Sequence, residues 1–195
     1  MKTTTSLNLT ARLLAGFLLS ITAAVAQAQD TNEPRTELGA FESRTGIVIV
    51  KSTDDIGSVT NATGNVSIKC RESLDTSSGL KQQGLAITIT GKDQQTETAL
   101  IDYDELDSLL SALDYLTTVN WSVTTLGSFD AVYMSRDGLR ASVYGNQRRL
   151  NDLGISLQIN RAVKVRISFT ADQLVQFRAF IQQAKAKLDV LRGAK

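Results

Sequence analysis

The strongest restriction on the fold is a pattern that occurs twice in the sequence. An alternating segment runs directly into a helix start with a capping box, first at Asp102 and again at Thr170, 68 residues later. The matching residues, in order, are Ile101, Asp102, Glu105, Leu106 and Leu109 at the first junction and Phe169, Thr170, Gln173, Leu174 and Phe177 at the second. Either an internal duplication produced this match, or two well-formed helices that follow strands converged on one signature.

Each junction opens into an amphipathic helix. The poor helix formers that follow Leu116 predict that the first helix ends near Val119. The apolar residues recur at helical spacing, which gives each helix one stripe to bury. The stripes consist of Leu106, Leu109, Leu110, Leu113 and Leu116 in the first helix, and of Leu174, Phe177, Ile181, Ala184, Leu188 and Leu191 in the second.

The segments that precede the helices alternate between apolar and polar residues, as strands with one buried face do. This pattern is typical of an antiparallel sheet that is covered on one side. The sequence therefore predicts the α+β class: a two-layer sandwich of mainly antiparallel sheet with two helices on one face, with two similar strand-and-helix halves as one explanation of the repeat. We expect one curved sheet.

Turn signals set the expected pairing of the strands. Asp137-Gly138 predicts a tight two-residue hairpin, which would pair Met134 with Ala141. The segment 54–57 predicts a turn, and the segment 121–123 predicts the start of a strand.

The N-terminal residues have the pattern of a secretory signal peptide. Lys2 and Arg12 precede a short uncharged apolar run, and small residues end it at Ala26-Gln27-Ala28. We therefore predict a signal peptide at 1–28, a flexible lead-in at 29–40 and a single α+β domain at 41–193. The predicted location is periplasmic or extracellular, without stable membrane insertion after cleavage.

The residue types restrict the available chemistry. The sequence contains no histidine and one cysteine, Cys70, which removes histidine-based triads and thiolate or imidazole zinc sites. Cys70 is in phase with apolar neighbours, so we expect it to be buried. The acids at 102–107 lack the glycine and the distal glutamate of a calcium loop, and acids in a first helical turn favour the helix dipole. We predict no metal and no cofactor.

The best functional candidate is the face of the second group of strands that is out of phase with the core. Its tyrosines and cations could bind a small anionic or carbohydrate-like ligand or a protein partner, although such residues are also ordinary on a solvated sheet. The predicted ligand-binding residues are Tyr133, Arg140, Tyr144, Lys164 and Arg166. No nucleic-acid partner is expected, because the net charge is only +1 and the predicted location is outside the cytoplasm.

These observations favour an exported binding or interaction module without enzymatic activity. Two alternatives remain open at this stage. One is a hydrolase that uses a pair of carboxylates and no histidine, such as one built on Asp54-Asp55. The other is a structural subunit of an envelope assembly.

Overall fold

The computed structural model describes residues 34–146, 153–160 and 164–193. Two short 3₁₀ turns, Tyr103–Glu105 and Trp121–Val123, accompany the main elements. These elements are, in chain order, α1 (Glu37–Glu42), β1 (Ile49–Asn61), β2 (Gly64–Asp75), β3 (Lys81–Gly91), β4 (Thr96–Asp102), α2 (Leu106–Thr118), β5 (Ser128–Met134), β6 (Leu139–Asn146), β7 (Leu153–Asn160), β8 (Lys164–Phe169) and α3 (Ala171–Gly193).

The strands form two four-stranded antiparallel sheets, ordered β1-β2-β3-β4 and β5-β6-β7-β8. Each sheet is followed by one long helix, so the predicted α+β class and the two similar halves are both confirmed. The single curved sheet that we expected is instead divided in two. At Leu100 of the edge strand β4, the backbone N–H donates to the side chain of Asp137 at 2.8 Å rather than to another strand.

Each long helix packs against the sheet of the other half. The helix α3 lies on β1, β2 and β3, while α2 lies on β5 and β6, and the two helices contact each other. The inner faces of both sheets and both apolar stripes therefore join one continuous core. The predicted stripes are buried except for Leu191, which is exposed near the end of α3.

The two halves also exchange contacts through their hairpin loops. The loop between β5 and β6 approaches the first capping box, where the backbone N–H of Arg136 donates to Glu105 Oε1 at 2.9 Å. The turn between β1 and β2 approaches the second capping box in the same way, because Asn61 Nδ2 donates to Gln173 Oε1 at 3.1 Å. These reciprocal contacts make the halves parts of one folding unit.

The β5–β6 hairpin has a different register from the predicted one. Its loop is three residues long, with the Gly138 N–H donating to the Ser135 carbonyl at 3.1 Å and Gly138 at φ +84°. This is a type I turn followed by a residue in the left-handed conformation. The dipeptide Asp-Gly is compatible with this three-residue loop as well as with the predicted two-residue turn. Tyr133 therefore pairs with Ala141, and every side chain of β5 points to the opposite face from the one predicted.

Two other local predictions were wrong. The segment 54–57 is not a turn, since β1 runs through it with a bulge between Asp55 and Gly57. A Cβ at Gly57 would lie 2.5 Å from the ring of Phe180, so the absence of a side chain at this position allows close packing of α3. The segment 121–123 forms a 3₁₀ turn, capped by the Asn120 side chain, and not the start of a strand.

The helix α1 lies on the outer face of the first sheet. Asp102 accepts hydrogen bonds from the backbone N–H groups of Glu37 and Leu38 at 2.8 and 2.9 Å, and Leu38 is fully buried. Residues 37–40, which the sequence analysis placed in the lead-in, thus belong to the ordered fold. The predicted signal peptide at 1–28 lies outside the described residues. None of the helices in the described ranges is long and apolar enough to cross a membrane.

Candidate functional site

The candidate site is the face of the second sheet that points away from α2 and α3, called here the outer face. The inner face carries the buried apolar residues of β6 and β7, and strand alternation places the polar residues opposite them. A depression of about 320 Å³ lies on the outer face. Its lining residues are Asp130, Arg140, Ser142, Tyr144, Ser156, Gln158 and Arg166.

Three of the five predicted ligand-binding residues meet in this depression, namely Arg140, Tyr144 and Arg166. Tyr133 does not, because the hairpin register turns it inward, where it packs against the core and its hydroxyl lies 3.3 Å from Ser108 Oγ on α2. Burial raises the pKa of Tyr133 above its usual value. Lys164 pairs with Asn160 in the sheet through its backbone, and its side chain lies outside the described part of the structure.

Tyr144 lies across Gly154 of the neighbouring strand. A Cβ at Gly154 would come within 2.3 Å of the tyrosine ring, so only glycine allows the ring to rest on the sheet. Arg166 holds the ring in place, since its Nη2 donates to the Tyr144 hydroxyl at 2.8 Å and its guanidinium carbon is 5.3 Å from the ring centroid. Tyr144 nevertheless remains 36 % exposed.

Arg140 is held at one side of the depression by an ion pair with Asp130, which accepts from Nη2. The Nε–H of Arg140 is buried and has no hydrogen-bond partner in the described structure. A buried donor without an acceptor costs about 1–3 kcal/mol, so an oxygen atom that reached this N–H would be favoured.

The floor of the depression is polar and buried. Ser142 and Ser156 are hydrogen-bonded to each other across β6 and β7 at 3.0 Å. Gln158 is only 4 % exposed and also lines the depression. Gln158 and Ser156 were not predicted as site residues, although their alternation with Leu157 places them on the same face as Arg140 and gave a usable signal.

The charges of the outer face favour an anion. Two guanidinium groups, Arg140 and Arg166, face one carboxylate, Asp130. No group of three or more cysteine, aspartate or glutamate side chains is placed to bind a metal ion within residues 34–146, 153–160 and 164–193. The donors and acceptors present are suited to hydrogen bonding and to ion pairing.

The outer face of the first sheet contains a comparable cationic cluster, but α1 already occupies it. The carboxylate of Glu42 accepts from Arg71 Nε at 2.6 Å and from Ser73 Oγ at 2.7 Å, and Lys51 Nζ lies 3.0 Å away. Burial raises the pKa of Glu42, but these partners outweigh it and leave the pKa below its usual value. This cluster is therefore neutralised within the chain.

Cys70 lies on the inner face of the first sheet, where its Sγ is 3.6 Å from the Ala184 carbonyl on α3. The predicted burial of this residue is confirmed. Burial raises the pKa of the thiol to about 11, so Cys70 is protonated at neutral pH and is a packing residue.

Comparison with known proteins assigns no family to this chain. No protein-family model matches the sequence, and no curated protein sequence matches it significantly.

Proposed function

We propose that this chain is an exported binding module of the cell envelope or secreted space that binds a small anionic ligand on the outer face of the second sheet. The observation that carries the proposal is the Nε–H of Arg140, which is buried at a cationic depression and has no hydrogen-bond partner among the described residues. Buried polar groups are almost always hydrogen-bonded, so an unpaired one that faces an open depression indicates a ligand or bound water.

The arrangement around Arg140 supports an anion in particular. Its guanidinium group carries a positive charge, and Arg166 adds a second cation to the lining of the depression. Charge-assisted hydrogen bonds from arginine to a carboxylate or phosphate are roughly twice as strong as neutral ones. The export part of the proposal depends on the signal-peptide pattern of residues 1–28.

Binding is favoured over catalysis by the composition of the depression. Among the described residues that line it, Asp130 is the only carboxylate, and it is ion-paired with Arg140. Glycoside hydrolysis requires two carboxylates that face each other across the substrate. In β1, Asp54 and Asp55 contact Lys187 and Lys69 respectively, so this pair does not converge on one substrate.

The proposal is tested by chemical-shift mapping of the labelled protein with sodium citrate and with inorganic phosphate, at an ionic strength held constant with sodium chloride. We expect saturable shifts for the amides of β6, β7 and β8 that surround the depression. The substitution Arg166→Gln should weaken binding by about tenfold or more, as expected for the loss of a charge-assisted hydrogen bond of about 1.5–3 kcal/mol.

Arg178→Gln provides the matched control, because Arg178 is also ion-paired, with Asp114, but lies on α3 away from the outer face. This variant should bind both anions as the wild type does. The proposal fails if neither anion shifts the outer-face amides, or if Arg166→Gln and Arg178→Gln weaken binding equally.

A further inference from the structure

We infer that the depression on the outer face binds an acidic sugar, that is, a pyranose that carries a carboxylate. The carboxylate would face Arg140 and Arg166, and the sugar ring would lie on Tyr144. This inference rests on the proposed function and names the class of its ligand.

Tyr144 offers an aromatic surface to a ligand. Because Gly154 has no side chain, the ring rests on the sheet, and 36 % of the residue remains exposed beside the Arg166 guanidinium. Arg166 fixes the ring through its hydroxyl, so the aromatic surface is present before any ligand arrives. Aromatic rings have an apolar body with a polar edge, which matches the C–H surface and surrounding hydroxyls of a sugar.

The depression presents both donors and acceptors to a ligand. A simple anion could pair with the Arg140 Nε–H, but it would offer no donor to the carboxamide oxygen of Gln158, which also lines the depression. A neutral sugar could donate to Gln158 and to the free lone pairs of Asp130, but it would bring no charge toward the two guanidinium groups. A ligand with both hydroxyl groups and a carboxylate satisfies both sets.

The size of the depression also suits a sugar. A depression of about 320 Å³ lies at the lower end of the volumes typical of small-molecule sites, which run from about 300 to 1,000 Å³. It is suited to one or two sugar rings rather than to a long chain. The buried serine pair at the floor, Ser142 and Ser156, limits how deeply a ligand can enter.

The test compares three probes by chemical-shift titration at one pH and one ionic strength: sodium galacturonate, galactose and sodium acetate. Galacturonate should bind at the outer face at least tenfold more tightly than galactose or acetate. Gln158→Met, which keeps the volume and removes the amide, should reduce galacturonate affinity by about tenfold. Gln182→Met on the exposed side of α3 is the matched control and should change nothing.

The probes separate the inference from the function on which it rests. If acetate shifts the outer-face amides as strongly as galacturonate, the sugar is refuted while anion binding stands. If galactose binds as tightly as galacturonate, the role of the two arginines is refuted. If none of the three shifts this face, and citrate and phosphate also fail, both proposals are wrong. A well-dispersed spectrum of Gln158→Met verifies that lost binding is not lost folding.

Discussion

The substitution Phe177→Ala should destabilise both halves of the protein together. Phe177 belongs to α3, which follows the second sheet in the chain but packs on the first. Its side chain is fully buried, and its ring lies 6.0 Å from that of Phe169 in an edge-to-face arrangement. Truncation therefore removes contacts in the part of the core that both halves share.

The expected cost follows from burial. Phenylalanine-to-alanine substitutions at buried sites cost about 3–5 kcal/mol, and the lost aromatic pair places this one toward the upper end. For a domain of this size, a loss of about 4 kcal/mol should lower the Tm by roughly 8–16 °C. Val175→Ala is the control in the same helix, because Val175 is exposed, and it should change stability by less than about 0.5 kcal/mol.

The assay is urea unfolding followed by Trp121 fluorescence and by circular dichroism, combined with hydrogen exchange of β2 and β6. Trp121 packs on Phe129 at the start of the second sheet, so its fluorescence reports on that half. We expect one transition by both optical methods, with equal losses of protection in β2 and β6. Two transitions, or a β2 that keeps its protection while β6 loses it, would refute the reciprocal packing argument.

Three further predictions follow from individual contacts. Glu42→Gln should destabilise the protein at neutral pH but have little effect in acid. Because the pKa of Glu42 is lowered in the folded protein, its carboxylate contributes to stability above about pH 4.5, and this contribution is lost as the pH falls through the folded-state pKa. Urea unfolding at a series of pH values measures the difference. Cys70, whose pKa is raised to about 11, should react with iodoacetamide far more slowly in the folded protein than in urea at pH 8. Gly154→Ala should displace the Tyr144 ring, because the added Cβ would lie 2.3 Å from it. The variant should bind galacturonate more weakly by titration, and a well-dispersed spectrum should show that it remains folded.

The helices were predictable because their signals are local. Both capping boxes form as predicted: the Gln173 N–H donates to Thr170 Oγ1 at 3.2 Å, and the Thr170 N–H donates back to Gln173 Oε1 at 3.0 Å. The apolar stripes also lie within single segments, and they face the core. Local hydrogen bonds and helical periodicity require no knowledge of the rest of the chain.

The strand register was not predictable to the same degree, and this changed the candidate site. Asp137-Gly138 is compatible with loops of two or three residues, and one residue of difference turns the whole of β5 over. One contact of the longer loop is remote in sequence, since Asp137 accepts from the Leu100 N–H of the other half. Tyr133 was therefore assigned to the wrong face, while Arg140, Tyr144 and Arg166, on β6 and β8, were not affected.

The position of one short helix distinguishes the two outer faces. Leu85 pairs with Ile101 and Ile155 pairs with Phe169, so the matching junctions make Gly84 and Gly154 equivalent positions. A Cβ at Gly84 would lie 3.2 Å from Leu38 of α1, whereas the three atoms nearest to a Cβ at Gly154 all belong to Tyr144.

The same helix decides which cations are already neutralised. Glu42 of α1 pairs with Arg71 and Lys51 on the first sheet, while no helix in the described ranges covers the depression beside Arg140. The α1 carboxylate thus acts on the first sheet as we propose the ligand carboxylate acts on the second. On this argument, two similar sheets differ in function because the chain supplies its own acidic group to one of them and leaves the other open to a ligand.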